Sequence, residues 1–352
     1  MKKLTRSTEF YIFLVFIALT IFIEIQSGQF FTSNNIVDML RAMIVPGIFS
    51  IGVLMVLVSG GIDISFTAIA LLSMYSATKI LMIWNYEGNV IMAFIISGAI
   101  GLLLGLINAS LIAFYNLPTI IVTLGTSSMF IGFMQGILHS RVISDIPKPM
   151  LEFSRAELFR VYNKELGVSS GLPVVFLILV ALIIIAWFIL RYTMLGRGIY
   201  ALGGDRTAAE RAGFNIIAIQ FFIYSFVGLI SGIAGMTRAI MMANVHPTNL
   251  MGMELTVIAA VVLGGTSITG GRGTITGTLL GVALITVLSN SLILMGIPTT
   301  WQKVFTGALI IIGTGLSAYQ TMKEKNKVHG GMKLGKKGSK ETQKNTTGSS
   351  AI

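Results

Sequence analysis

The chain has 352 residues, of which 54% are hydrophobic and 11% charged, with a net charge of +11. Soluble domains carry about 25% charged residues, and a chain this apolar has too little polar surface to cover a globule in water, so bilayer lipid must solvate much of it. The absence of cysteine excludes disulfides, thiolate metal sites and cysteine nucleophiles, and three scattered histidines (His139, His246, His329) do not suggest a zinc site.

The first residues carry Lys2, Lys3 and Arg6 ahead of an apolar run, and Glu24 and Gln26 stand where a small-residue cleavage site would be, so the run reads as an uncleaved first span. Apolar runs follow near 42–59, 65–84, 90–115, 118–138, 173–191, 216–238, 253–269, 274–296 and 302–320. At ~20 residues per span, this predicts an all-α bundle of about ten spans. The runs at 42–59 (interrupted by Pro46) and 253–269 are short enough for broken or re-entrant helices.

Orientation follows from Lys and Arg in the short loops. With the N-terminus inside, the cytoplasmic pieces hold Lys2, Lys3, Arg6, Arg197, Arg206, Arg211, Arg272 and the tail lysines. Both termini are then cytoplasmic. The longest outside connection, 139–172, is nearly neutral with five basic and four acidic residues, and its spacing from Glu152 to Leu166 predicts a short amphipathic helix or a solvated loop.

Three G-x-x-x-G pairs, Gly101/Gly105, Gly228/Gly232 and Gly277/Gly281, predict close backbone packing between helices, within the chain or across a subunit contact. Gly101-Leu-Leu-Leu-Gly105, followed by Asn108 and Leu117-Pro118, echoes Gly277-Thr-Leu-Leu-Gly281, followed by Asn290 and Ile297-Pro298. In this topology the two stretches run in opposite directions, as inverted repeats do. A second echo, Gly60–Ser65 with Gly264–Thr269, does not invert.

Between the spans ending near Arg191 and beginning near Ile216 lies a polar connector. Asp205 suits an N-cap, Arg206 to Ala212 are mostly good helix formers, and Gly213 suits the left-handed position past a helix end. These features predict a helix of about two turns, a rigid knob in the cytoplasm.

Thr207-Ala-Ala-Glu-Arg-Ala-Gly213 is similar to the E-A-A-x-x-x-G signature of ABC importer permeases, with Thr207 in place of the usual Glu. Gly60-Gly-Ile-Asp-Ile-Ser65, Leu117-Pro-Thr-Ile-Ile-Val-Thr-Leu-Gly-Thr126, Ala201-Leu-Gly-Gly204, Glu254–Ser267 and Gly270-Gly-Arg-Gly273 resemble, in order, the ribose/xylose/autoinducer-2 branch of sugar permeases. The resemblance implies a type II, vitamin B12 importer-like permease domain (1–322) in the bacterial inner membrane, importing a small sugar. It implies a second permease chain, a cytoplasmic ATPase and an extracytoplasmic substrate-binding protein as partners. Coupling to the ATPase then falls to Asp205, Arg206, Thr207, Ala208, Ala209, Glu210, Arg211 and Gly213; Thr207 removes one carboxylate from that contact. Nucleosides or branched-chain amino acids are the alternative cargo, and a secondary transporter is disfavoured by the scarcity of charge within spans.

Asp63, at the edge of two apolar runs, is either a gate near the path or a cap for the helix that follows. Glu254 reads chiefly as a residue of a helix start, while Lys79 and Arg238 read as snorkelling near outer helix ends. Candidates to line a sugar path are Asn108, Thr123, Thr126 and Asn290, and more widely Ser110, Ser127, Ser128, Gln135, Ser289 and Ser291. No phosphate loop is present, so no cofactor is expected on this chain and ATP hydrolysis belongs to a partner. The eight lysines after residue 322, against Glu324 and Glu341, predict a disordered tail (323–352) near anionic lipid rather than a nucleic-acid site.

Overall fold

A computed structural model describes residues 8–163 and 167–294, with isolated positions from 296 to 315. The expected tail and nearly all of the run at 302–320 lie outside the described residues. The helices are α1 (Thr8–Ser27), α2 (Ser33–Val58), α3 (Phe66–Ile83), α4 (Ile91–Tyr115), α5 (Thr119–Gly136) and α6 (Lys148–Ser154). After a hairpin of β1 (Glu157–Asn163) and β2 (Val168–Pro173) come α7 (Phe176–Tyr192), α8 (Met194–Gly204), α9 (Arg206–Arg211), α10 (Ile216–Met242), α11 (Met253–Leu263) and α12 (Ile275–Leu294).

Among the described residues, seven helices are long and apolar enough to cross a membrane, or eight if α7 and α8, bent by 73°, make one span. Nine of the ten apolar runs fall on helices. At ~1.5 Å per residue, the 11 residues of α11 cover only about half of a bilayer core. Pro46 does not break its helix: α2 continues for 26 residues and is buried almost all round from Ile44 to Val58. An all-round apolar helix belongs in the centre of a bundle, and α10, α12, α11 and α7 pack around this one. Tertiary packing therefore outweighs the lost hydrogen bond at the proline.

The widest helix contact is α4 on α10, and glycine makes it. A Cβ on Gly101 would overlap the carbonyl oxygen of Gly228, and one on Gly105 would lie 2.9 Å from the Cα of Gly228. Ser97 Oγ donates to Gly232 O at 2.7 Å in the same seam. Gly277 and Gly281 pack on Gly264 and Ala260, at the ends of α12 and α11. All three G-x-x-x-G pairs thus meet partners inside the chain.

One end of the bundle collects the ends of many elements. Glu9, at the start of α1, accepts from Thr276 Oγ1 at 3.1 Å beside the start of α12. Tyr200 on α8 donates to Gly273 O at 2.8 Å, and Arg206 on α9 donates to Asn116 at the end of α4. So α4 ends where α12 begins, and the first echo does run in opposite directions. Gly60 and Thr269 meet at this same end, so the second echo does not invert.

The expected helix over 152–166 is corrected. Helix α6 stops at Ser154 and the chain turns into the hairpin, with Tyr162 opposite Ser169. Phe159, Val161 and Tyr162 favour a strand, and Gly167 takes a positive φ of 64° at the turn. The hairpin is docked on α2: Asn34 Nδ2 donates to Val168 O at 3.3 Å and to Ser170 Oγ at 3.2 Å, and Ser170 Oγ donates to Asp38 Oδ2 at 3.0 Å.

Candidate functional site

Where α7 ends, Thr193 turns extended and its hydroxyl accepts from Gly196 N at 3.1 Å, starting α8 across the bundle end. Asp205 then breaks the helix at φ −160°, and its carboxylate accepts from Ala208 N at 3.0 Å and Thr207 Oγ1 at 2.6 Å. These hydrogen bonds, with Thr207 first and the Ala208 amide second, hold the Asp205 carboxyl below the usual carboxylate range. Past α9, Gly213 adopts φ +86°, a conformation that costs a Cβ-bearing residue about 1 kcal/mol or more. The expected short helix is present, and a further helix not expected from the sequence, α8, precedes it across the Asp205 break.

The faces of α9 divide the coupling candidates. Ala209 is 3% exposed and turned into the bundle, while Asp205, Thr207, Ala208, Glu210, Arg211 and Gly213 are exposed. Arg206 reaches back: its Nη2 donates to Asn116 Oδ1 at 2.5 Å and its Nε to Glu210 Oε1 at 3.2 Å. Asn116 is itself left-handed (φ 51°), at the elbow between α4 and α5. Ala209 and Arg206 therefore hold α9 in place, and Thr207, Ala208, Glu210 and Arg211 form its free face.

Beside this outcrop lies a cavity of about 610 Å³, walled by the 59–62 segment, the Asn116–Ile120 elbow, Leu202–Arg206, Gln220, Tyr224 and Thr269. Next to that segment is a buried polar cluster. Asp63, 3% exposed, accepts from Ser65 N and Ser65 Oγ, both at 2.7 Å, through Oδ1. Asn108 Nδ2 on α4 donates to Ser65 Oγ at 2.8 Å. Thr123 Oγ1 accepts from Ile64 N at 3.3 Å, and Thr119 Oγ1 from Ile62 N at 2.9 Å. The start of α5 is thus bonded rung by rung to the extended 59–65 segment. Among the described residues, Asp63 Oδ2, Asn108 Oδ1 and Gln220 Oε1 have no hydrogen-bond partner. Buried polar atoms of this kind are sites for water or a polar ligand. A larger cleft, about 1110 Å³ between α4, α6, α7 and α10, is apolar and shares no residue with this cluster.

Three path candidates, Asp63, Asn108 and Thr123, come together here. Thr126 sits one turn further along α5, its hydroxyl bonded to Thr123 O at 3.4 Å. Asn290 is apart, half-buried on α12, which packs chiefly on α2, α11 and α1. Ser65 and Thr119 stand within the Gly60–Ser65 and Leu117–Thr126 motifs, whereas Tyr224 stands in none and only the fold brings it to Gly61. Glu254 takes the helix-start role, accepting from Gly252 N at 3.0 Å and from Thr67 Oγ1 of α3 at 3.1 Å. Lys79 does not snorkel freely: its ammonium donates to Leu138 O at 2.6 Å and lies over the Tyr75 ring. Ser110 and Ser128 bond the carbonyls of Leu106 and Leu124 on their own helices, and Gln135 is exposed on α5.

The family described as branched-chain amino acid transport system / permease component matches residues 35–313. The ribose import permease RbsC of Bacillus subtilis (strain 168) is 36% identical over 300 residues, 85% of this chain and 89% of that protein. RbsC of Escherichia coli (strain K12) is 32% identical over 299 residues, 84% and 90% of the two chains. The fructose import permease FrcC of Rhizobium meliloti is 30% identical over 306 residues, 86% and 83%. No solved structure matches the chain. With one family spanning both the capped α9 outcrop and the polar cluster, and sugar-import permeases aligned along nearly their full length, this multi-pass membrane chain belongs to the ABC import permease family.

Proposed function

We propose that the chain is the membrane subunit of an ATP-driven importer of a small sugar, ribose or a related monosaccharide, in the bacterial cytoplasmic membrane. The observation that carries this reading is α9: a capped helix of six residues, braced by Ala209 and Arg206, with a free face of Thr207, Ala208, Glu210 and Arg211. A cytoplasmic ATPase docks on that face, a secreted binding protein delivers cargo at the opposite end, and both termini are cytoplasmic in a bundle of about ten spans of the vitamin B12 importer-like type. The sugar assignment rests on the ribose and fructose permeases that align with the chain.

A second permease chain completes the path. On α5, Gly125, Ser128, Gly132, Gln135 and Gly136 share an exposed face, and nothing lies within 4 Å of a Cβ on any of the three glycines. An amide such as Gln135 is costly against lipid and favours a partner helix or a watery path. Sugar hydroxyls can bond such small polar groups weakly, which suits release.

The test is the double variant Ala208→Asp with Arg211→Glu, both at exposed positions. The chain should still enter the membrane but lose co-purification of the ATPase and ATP-driven uptake of radiolabelled ribose. Retained co-purification and uptake would refute the assignment of α9.

A further inference from the structure

The end of α8 meets two other chain segments backbone to backbone, at glycine positions and at the Val58 carbonyl. A Cβ built on Gly203 would overlap the carbonyl oxygen of Val58, the last residue of α2, and would lie 2.6 Å from Gly271 N. A Cβ on Gly270 would lie 2.6 Å from Gly203 O and 2.9 Å from the Cα of both Gly203 and Gly60. Gly271 N donates to Val58 O at 2.8 Å, closing the contact with a backbone hydrogen bond. Gly60, Gly270 and Gly271 all have positive φ, 83°, 89° and 74°. The atoms nearest to Gly60, Gly203, Gly270 and Gly271 are backbone, so no side chain fits at these positions. Protein packed this closely moves as a body or comes apart.

We propose that Gly203, with Gly60 and Gly270–Gly271, is a rigid joint that makes α8–α9 one moving unit with the α2–α3 linker and the α11–α12 turn. The proposal rests on the reading of α9 as the ATPase-docking helix, and adds where its motion goes. One output is the 59–65 segment, which begins at the joint, carries Asp63 and is bonded to the start of α5 through Thr119 and Thr123. The other is the turn leading into α12, held also by Tyr200 and Gly273 O. The Arg206–Asn116 bond ties the same unit to the α4–α5 elbow. Displacement at α9 therefore arrives at α3, α5 and α12 together, which a path lined by several helices requires if it is to open at once. Gly203 is a positioning residue: it touches no cargo and acts through the segments it lets meet.

The test uses the assembled complex of permease, ATPase and binding protein in proteoliposomes. Gly203→Ala should keep the ATPase bound and its basal ATP hydrolysis, yet lose stimulation by sugar-loaded binding protein and lower uptake roughly tenfold or more, the scale of an ordinary coupling energy. Normal stimulation and uptake would overturn the proposal. Where Gly203→Ala does not accumulate, a second arm decides. Gly204→Cys and Thr269→Cys place two thiols on exposed walls of one cavity in a chain with no other cysteine. Bridging them with a short, reducible bifunctional thiol reagent should leave uptake within about twofold, because the joined parts do not move relative to each other. A bridge that stops uptake, with recovery on reduction, would show that the joint slides and overturn the proposal. The outcomes separate from those for α9: loss of the ATPase in the Ala208/Arg211 variant with normal coupling in Gly203→Ala would sink only the joint.

Discussion

At the scale of single residues, the charge of Asp63 can be separated from its role in the turn ahead of α3. Its carboxylate accepts from the amide and the hydroxyl of Ser65, the residue just ahead of α3, in the geometry of an Asx turn; α3 itself has no side-chain cap bond. Burying a carboxylate costs several kcal/mol after relaxation, whereas charged hydrogen bonds return about 1.5–3 kcal/mol each. An amide keeps the acceptor without the charge. Asp63→Asn should therefore leave the thermal midpoint in detergent unchanged or raised, and Asp63→Ala, which leaves the buried Ser65 amide without its acceptor, should cost about 1–3 kcal/mol. If Asp63→Asn is stable but abolishes uptake, the charge serves transport; if uptake persists, Asp63 serves the turn ahead of α3.

Asp205 gives a pH dependence with a definite sign. Its carboxyl is held below its ordinary value in the folded chain, chiefly by Thr207 and the Ala208 amide. The cap is then fully present above the unfolded value and is lost as pH falls through the depressed folded value. Hydrogen exchange at the Ala208 amide should quicken on acidification through that range, after correction for the intrinsic rate. Asparagine caps about as well without titrating, so Asp205→Asn should remove the dependence. A persistent acid response in that variant would place the titrating group elsewhere.

At the scale of elements, the α4–α10 seam depends on the absence of side chains at Gly101, Gly105 and Gly228. In lipid no hydrophobic effect drives helices together, so close van der Waals contact carries the association. Gly105→Leu should cost about 1–3 kcal/mol by overpacking, read as a lowered thermal midpoint, while Gly132→Leu on the open face of α5 should cost less than about 1 kcal/mol. Equal losses would remove the seam from the account. The elements readable in the sequence are those with long apolar runs or marked ends, such as α10, within the run at 216–238, and α9, opened by Asp205. The hairpin at 157–173 was not readable as such, because a short strand with mixed burial carries a weaker signal than a 20-residue run. Its docking on Asn34 and Asp38 is a contact across more than a hundred residues.

For the whole molecule, the exposed α5 face predicts a partner. Ser128→Cys, as the sole cysteine in the chain, should form a disulfide-linked dimer on mild oxidation in membranes if two copies make the path. Leu103→Cys, exposed on α4, should not. A Ser128→Cys chain that stays monomeric beside a co-purifying sister permease would replace the symmetric pair with a mixed one.

The sequence by itself determined that the chain lives in a membrane, where its helices run and which connector carries a capped knob, because apolar length, caps and left-handed glycines are local properties. Tertiary structure decided which face of that knob is free, that Pro46 leaves α2 unbroken, that Asn108 serves Ser65 while Asn290 lies elsewhere, and that two glycine turns far apart in the chain meet at Gly203. The reason is physical: a glycine's meaning depends on what approaches it, and a buried amide's on which partner the packing brings within 3 Å.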